Sequence, residues 1–487
     1  MEHDKLSPKM ADAKLLKKSS PLQLRLGERR ILLVAGDFLM AVFALGISLT
    51  FWGSTLRFIE FNYNFLRYRV PGWFYLLPFI WVLLLTELYD IHNASNLKRT
   101  LRGVLVAGMI GLGLYLIVYM VYVEPPRSTL PRLGVASFLV LAVLLTLGWR
   151  AIYIRIFTAP EFMRKILLVG GGKTGQIILQ ILNNLNPKPF HMIGIIDDDP
   201  NKQGADVEGY PVIGTSEHML QLIDNYGVSD LIVAISGEMN GRMFQALLDA
   251  QEWGLEITRM PVAYEELLGR VPIQWLEADW ILRSFVDEAR SRGFYELWKR
   301  LIDIIGGLIG TFIFIILMPL ISFILLMDDG RPIFYTQMRS GRGGQHYKIY
   351  KFRTMHRDAE ADGKPQSARE NDARTTRIGR FLRKTHVDEL PQFLNVLRGE
   401  MSLVGPRAER PELVAMFQKH VPFYRARLLV KPGLTGWAQV NQSYAASIDE
   451  TITKLEYDLY YIKHRNVSID MLILLRTPSM VLGFRGR

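Results

Sequence analysis

Two adjacent carboxylates, Asp388 and Glu389, stand in the run Thr385-His-Val-Asp-Glu-Leu-Pro-Gln-Phe-Leu-Asn-Val-Leu-Arg-Gly399. Leu390, Phe393, Leu394 and Leu397 fall on one helical face, and Gly399 is a natural stop. A helix capped at Thr385 would carry Pro391 beyond its first turn, so the start is placed at Asp388, where Pro391 is tolerated. The two acids then sit at a helix N-terminus, whose positive dipole end favours their ionised forms and attracts a phosphate. A plainer reading makes Asp388 an N-cap and Glu389 a first-turn acid without chemistry. The neighbouring segments weigh against it. Lys351-Phe-Arg353-Thr-Met355, Gly405-Pro-Arg407 and Lys431-Pro-Gly-Leu-Thr-Gly-Trp-Ala-Gln-Val440 bring cations and tight glycine turns of the kind that hold a diphosphate.

These residues belong to a chain of 487, of which 49% are hydrophobic and 22% charged. That balance fits neither a disordered protein nor one wholly embedded in a membrane, and points to membrane and soluble parts in one chain. The absence of cysteine removes disulfides, thiolate metal sites and a cysteine nucleophile. The net charge of +11 is concentrated late: from Asp328 to Arg487 there are 27 Lys and Arg against 17 Asp and Glu. Such a basic region calls for anionic partners, lipid or nucleotide phosphates. Nucleic acid is set aside, because the basic residues are interleaved with the site motifs and no nucleic-acid module appears.

Four apolar stretches, Ile31 to Leu56, Pro71 to Tyr89, Leu101 to Val123 and Leu133 to Thr158, are each long enough to cross about 30 Å of hydrocarbon as a helix. The first is too long for a signal-peptide core and reads as a retained anchor. The basic arm 1–30 and the other loops on its side carry 15 Lys and Arg, against five on the opposite side, so both ends of the bundle 31–158 are expected in the cytoplasm. Asp37 and Glu87 lie near segment ends and read as headgroup contacts.

A Rossmann-like module is expected over 159–293. Lys165-Ile-Leu-Leu-Val leads into Gly170-x-Gly172-x-x-Gly175 and an apolar-periodic helix, the context of a nucleotide-binding turn. A second strand ends in Asp197-Asp-Asp199, where a ribose-binding carboxylate would sit, and Leu231 to Ile235 is a third. A dehydrogenase or epimerase is the natural rival reading, but the Tyr-x-x-x-Lys at Tyr347 to Lys351 lies far outside the module. Regulatory nucleotide binding, dimerisation and a purely structural role stay open. A further apolar stretch, Leu301 to Met327, contains Pro319. A full crossing would put the basic C-terminal domain outside, away from nucleotide-activated substrates, so a re-entrant helix hairpin bent at Pro319 is expected.

The C-terminal motifs resemble those of the polyprenyl-phosphate phosphoglycosyl transferases, the bacterial sugar transferase family. The matching residues are Lys351 to Met355, Asp388-Glu-Leu-Pro-Gln392, Met401-Ser-Leu-Val-Gly-Pro-Arg407, Pro432 to Val440 and Tyr457-Asp458-Leu-Tyr-Tyr-Ile462. The fold implied is a membrane helical bundle, an α/β Rossmann-like domain, and an α+β catalytic domain at 294–487 with re-entrant helix 301–327. The resemblance implies transfer of a sugar 1-phosphate, glucose or galactose foremost, from a UDP-sugar to undecaprenyl phosphate. UMP is released, opening capsule, O-antigen or exopolysaccharide synthesis at the bacterial inner membrane, with the catalytic domain facing the cytoplasm. Asp388 matches the nucleophile and Glu389 its dyad partner and a ligand of the family's Mg²⁺. Lys351, Arg353 and Arg407 are candidate phosphate contacts and Asp458 a further active-site carboxylate. The chain departs at Ala408, where the family pattern has proline, which would loosen that turn. A conventional glycosyl transferase would instead release UDP, and a non-catalytic nucleotide-sensing scaffold would give no lipid product.

Overall fold

The computed structural model describes residues 26–55, 63–68, 70–89, 94–121, 132–157, 163–186, 188–275, 293–356, 359, 374–442 and 447–481. Most of the basic arm 1–30 lies outside them. Contacts divide the chain into two units, Met1–Met260 and Pro261–Arg487.

In the first unit, α1 (Leu26–Thr55), α2 (Leu77–Leu84), α3 (Leu97–Val121) and α4 (Arg132–Phe157) form an apolar bundle. Of the four expected spans, the second is not one helix. A 3₁₀ turn Gly72–Leu76 precedes α2 and another, Thr86–Tyr89, follows it. Pro78, which lacks an N–H, stands in the first turn of α2, where a helix restarts readily. The apolar helix Gly72–Leu84 is accordingly shorter than the three long ones in the bundle, each of which suffices to cross a membrane. Asp37 is no headgroup contact. Its carboxylate is wholly buried and takes Arg150 Nη2 at 2.6 Å, while Arg150 Nη1 reaches the Leu88 carbonyl at 3.1 Å. Between apolar helices, such a pair satisfies its own charges and hydrogen bonds. The side chain of Glu87 lies outside the described residues.

The same unit holds a six-stranded sheet ordered β3-β4-β2-β1-β5-β6, with β1 Lys165–Val169, β2 His191–Ile196, β3 Asp206–Val207, β4 Tyr210–Gly214, β5 Asp230–Val233 and β6 Glu256–Arg259. All pairings are parallel except the short antiparallel β3 on β4. Helices α5 (Lys173–Asn184), α6 (Met219–Tyr226) and α7 (Gly241–Glu252) make the crossovers. The continuous apolar run of β1 is what a strand covered on both faces requires.

The second unit begins earlier than the expected border near Gly293. After α8 (Met260–Leu268), Val271 and Ile273 enter its hydrophobic core, and Trp437 Nε1 donates to the Gly269 carbonyl at 2.7 Å. Residues 276–292 lie outside those described. Then comes α9 (Gly293–Asp329), 37 residues long and apolar enough to cross a membrane. Helix α9 runs through Pro319 as one assigned helix, so no loop separates two arms of a hairpin there. One stripe, Asp303, Gly307, Gly310, Phe314, Ile321 and Leu325, is buried, while Ile305, Leu308, Ile309, Phe312, Ile316 and Phe323 are exposed.

That stripe is tied to the globular body along its length. Asp303 Oδ1 accepts from Leu403 N at 2.8 Å and Ser402 Oγ at 2.9 Å. Gly307 and Gly310 leave room for Leu397 and Phe393, which a Cβ would strike. At the far end, Arg353 Nη2 donates to the carbonyls of Asp329 and Gly330 at 2.9 and 2.6 Å, closing the last turn. The body itself comprises the antiparallel hairpin β7 (Phe334–Ser340) and β8 (His346–Phe352), α10 (Arg377–Lys384), α11 (Phe393–Arg398) and the parallel pair β9 (Ser402–Val404) and β10 (Gly433–Thr435). Four further helices follow the site loops: α12 (Pro411–His420), α13 (Trp437–Asn441), α14 (Ile448–His464) and α15 (Val467–Val481).

Candidate active site

Asp388 and Glu389 lie in a 3₁₀ turn, Val387–Gln392, that feeds the six-residue α11. The expected α-helical start at Asp388 is therefore displaced to Phe393. Pro391 has no N–H to give an i−4 bond and its ring would meet the carbonyl four residues back, so the chain tightens to i+3 spacing before α11 can begin. Helix-dipole stabilisation of the dyad falls away with it, and local cations take its place. Gly399 ends α11 in the left-handed conformation at φ 82°, as the sequence predicts.

Glu389 Oε1 accepts from Lys351 Nζ and Arg407 Nη2, both at 2.6 Å. Burial alone would raise its carboxyl, but Arg407 and Lys351 outweigh that and hold it well below the usual carboxylate range. Asp388 is buried beside it without such bonds, and burial, reinforced by the charge of Glu389, pushes its carboxyl up to about 6. Lys351, Arg383 and Arg407 pull the other way. Two neighbouring acids are thus driven apart, one permanently ionised and clamped, the other poised between states near neutral pH.

Arg407 is held from behind. Arg427 Nη2 donates to its carbonyl at 2.9 Å and to Asp458 Oδ2 at 2.9 Å, and Arg427 and Asp458 are both buried. Asp458 therefore joins a supporting network instead of the dyad. Arg353 is also not brought to the dyad, being spent on the end of α9. The glycines of Gly405-Pro-Arg407 and Lys431 to Val440 do not form an open phosphate cradle. A Cβ on Gly405 would lie 2.5 Å from the Lys431 carbonyl, and one on Gly433 or Gly436 would strike Gly405. They let β9 and β10 approach so closely that Gly433 N bonds the Pro406 carbonyl at 2.9 Å, which fixes Arg407. At the departure from the family pattern the turn is pinned: Arg339 Nη1 donates to the Ala408 carbonyl at 3.1 Å and Ser340 N to that of Glu409 at 2.9 Å.

Sequence reasoning missed Arg383 and Arg339. Arg383 Nε bonds Thr354 Oγ1 at 2.8 Å, and its charge acts on Asp388. The signal was its place in the basic run Arg377 to Lys384, just before the dyad. Glu389 Oε1 already faces two cations and the described residues hold no cluster of three or more acidic or histidine groups, so a Mg²⁺ held by Glu389 would rest on its other carboxylate oxygen together with oxygens of the substrate.

In the other unit, Gly170 turns at φ 102°, and Gly175 lies so close to the Gly170 carbonyl that no Cβ fits. Gly172 caps α5 with open space before it. Of the three acids Asp197 to Asp199 that offer a ribose-binding carboxylate, Asp197 is engaged within the fold: it accepts from Gly171 N at 2.8 Å, Asp199 N at 2.9 Å and Lys202 Nζ at 3.0 Å.

The bacterial sugar transferase family profile matches residues 294–484, and that of a CoA-binding domain matches residues 85–261. The UDP-N-acetylgalactosamine-undecaprenyl-phosphate N-acetylgalactosaminephosphotransferase of Aeromonas hydrophila is 39% identical over 49% of this chain and 57% of its own. The UDP-glucose:undecaprenyl-phosphate glucose-1-phosphate transferase of Caulobacter vibrioides is 37% identical over 38% of this chain and 70% of its own. The UDP-galactose-lipid carrier transferase of Erwinia amylovora is 26% identical over 85% and 86%. The chain thus spans little more than half the length of the Aeromonas relative. The three relatives act on three different sugars.

Proposed function

The chain belongs to the bacterial sugar transferase family, and from that premise we propose that it transfers a sugar 1-phosphate from a UDP-sugar to undecaprenyl phosphate. Polysaccharide assembly would begin with this step. The observation that carries the proposal is the convergence of Lys351 and Arg407, from separate motifs, on Glu389 beside a buried Asp388, in the unit that also holds the apolar α9.

An ionised Asp388 oxygen attacks the sugar-linked phosphorus of the donor. An aspartyl-phosphosugar bond forms, the bond from that phosphorus to the bridging oxygen breaks, and the electron pair leaves with UMP. An oxygen of undecaprenyl phosphate then attacks the same phosphorus, the aspartyl bond breaks, and the Asp388 carboxylate returns. Glu389 acts on the cations: by fixing Lys351 and Arg407 it places positive charge where the phosphate oxygens gather. Magnesium, when bound, would be held with help from Glu389 and would supply the positive charge that neutralises the diphosphate.

The exposed face of α9, continuous through Pro319, embeds in one leaflet with both helix ends on the side of the globular body, and the catalytic unit works at the cytoplasmic face of the inner membrane. Its tie to the globular body at both ends supports this reading. The open N-terminus of α5 at Gly172 supports a phosphate-binding role for the Gly170–Gly175 turn. The test is incubation of the full-length protein with UDP-sugar, Mg²⁺ and undecaprenyl phosphate. UMP and a diphosphate-linked lipid are expected, with turnover lost in Asp388→Asn. UDP release would indicate a conventional glycosyl transferase.

A further inference from the structure

Lys351 and Arg407 also line a pocket with Arg339, Gln392, Met401 and Leu434. Its polar side chains present N–H groups and one amide oxygen, that of Gln392. Lysine and arginine carry no acceptor, and Lys351 and Arg407 already share Glu389. Arg339 spends Nη1 on the Ala408 carbonyl at 3.1 Å and Nη2 on Gln337 at 2.6 Å, yet its buried Nε has no hydrogen-bond partner among the described residues. Gln392 is only 4% exposed, and its Nε2 likewise has none. A buried donor left without an acceptor is uncommon in folded proteins, and two in one small pocket call for an acceptor from outside the chain.

The chemistry of that acceptor follows from the lining. Three cations face the pocket. The nearest acids, Glu389 and Glu409, are themselves engaged, Glu389 by Lys351 and Arg407, and Glu409 by Lys454 at 2.7 Å. Gln392 Oε1 is the one amide or carboxyl oxygen among the lining side chains, against three cations, so a phosphate, which brings acceptors alone, suits the lining better than a neutral base such as uracil, whose N–H would depend on that single oxygen. The cavity is small, about 20 Å³, room for one or two atoms the size of a water oxygen, so oxygens of a single phosphate group enter it and the rest of the ligand stays outside.

We infer that Arg339 Nε and Gln392 Nε2 bind the donor phosphate that departs with the nucleotide, the one next to the phosphorus that Asp388 attacks. This rests on the function proposed above. Undecaprenyl phosphate offers the same oxyanion in the second half-reaction, so the experiment separates the two sources.

Full-length Gln392→Met, Gln392→Glu and Arg339→Gln are assayed for KM of UDP-sugar, for KM of undecaprenyl phosphate, and for product inhibition by UMP. The donor KM and the UMP inhibition constant should rise about tenfold, the worth of a hydrogen bond to a charged group. The lipid KM should stay within about twofold. Gln392→Glu keeps the shape but adds like charge, so it should be worse than Gln392→Met; a purely structural glutamine would rank them in reverse. Unchanged UMP inhibition, the reverse ranking, or an effect confined to the lipid KM would overturn the inference while leaving the transferase reading intact. A wild-type protein that releases no UMP would instead overturn the function on which it rests.

Discussion

Arg427 and Asp458 meet at 2.9 Å in the interior of the catalytic unit, and the same guanidinium nitrogen carries the Arg407 carbonyl at 2.9 Å. Arg407 in turn clamps Glu389. The carboxylate that the sequence motif offers as an active-site acid thus acts two steps away, through a backbone oxygen.

Replacing Asp458 with Ala should therefore cost stability and turnover together. Breaking a buried ion pair costs up to about 3–5 kcal/mol, and less where, as here, a second acid, Glu409, stays 3.6 Å from the arginine. Thermal unfolding in detergent should shift down in parallel with the rate of UMP release. An inactive Asp458→Ala variant with an unchanged melting temperature would instead place Asp458 on the substrate.

The unequal acids give a pH signature with opposite signs for folding and catalysis. Asp388 keeps its proton up to about 6 in the folded state but loses it in the ordinary carboxylate range when unfolded. Its contribution to stability is therefore present at acid pH and lost as pH rises through about 6. Catalysis needs the ionised form and should fall as pH drops through the same value. Asp388→Asn should melt higher than wild type at pH 8, with the difference shrinking by pH 5. A constant difference across that window would contradict the assignment.

The tie between α9 and the dyad turn can be tested at one atom. Gly310→Ala places a methyl against the Phe393 ring, the first residue of α11. Overpacking there should cost about 1–3 kcal/mol and lower turnover by displacing the turn that carries Asp388 and Glu389. Ala at Gly46, where a Cβ meets nothing, should be silent in the same assays.

Ile273→Ala should destabilise the catalytic unit by about 2–5 kcal/mol, the usual cost of emptying a buried isoleucine site. Differential melting of wild type and variant reads this directly. No change would mean that residues 261–275 rest on the unit without supporting it.

The sequence made much of this arrangement legible because its strongest signals are local. Lys165 to Gly175 had to be strand, tight turn and helix, since an uninterrupted apolar run meets glycines that admit close backbone approach. Gly399 had to end its helix. What stayed hidden depends on who sits opposite whom. Gly405, Gly433 and Gly436 look like a phosphate loop until the structure shows them filling one another's space. Arg353 looks like a phosphate ligand until the end of α9 claims it. Asp37 looked interfacial because nothing in its own helix reveals Arg150, 113 residues later. Pro391 was read correctly as a constraint, but only the fold shows that it tightens the turn instead of opening an α-helix.

The central claim is that Asp388 becomes esterified to the donor's phosphorus. Its most direct test is mass spectrometry of the full-length protein quenched after mixing with UDP-sugar and Mg²⁺ in the absence of undecaprenyl phosphate. The proposal predicts one sugar phosphate added to the peptide bearing Asp388, lost on adding the lipid and absent from Asp388→Asn. UMP formed with no modified peptide, or the adduct on another residue, would contradict it.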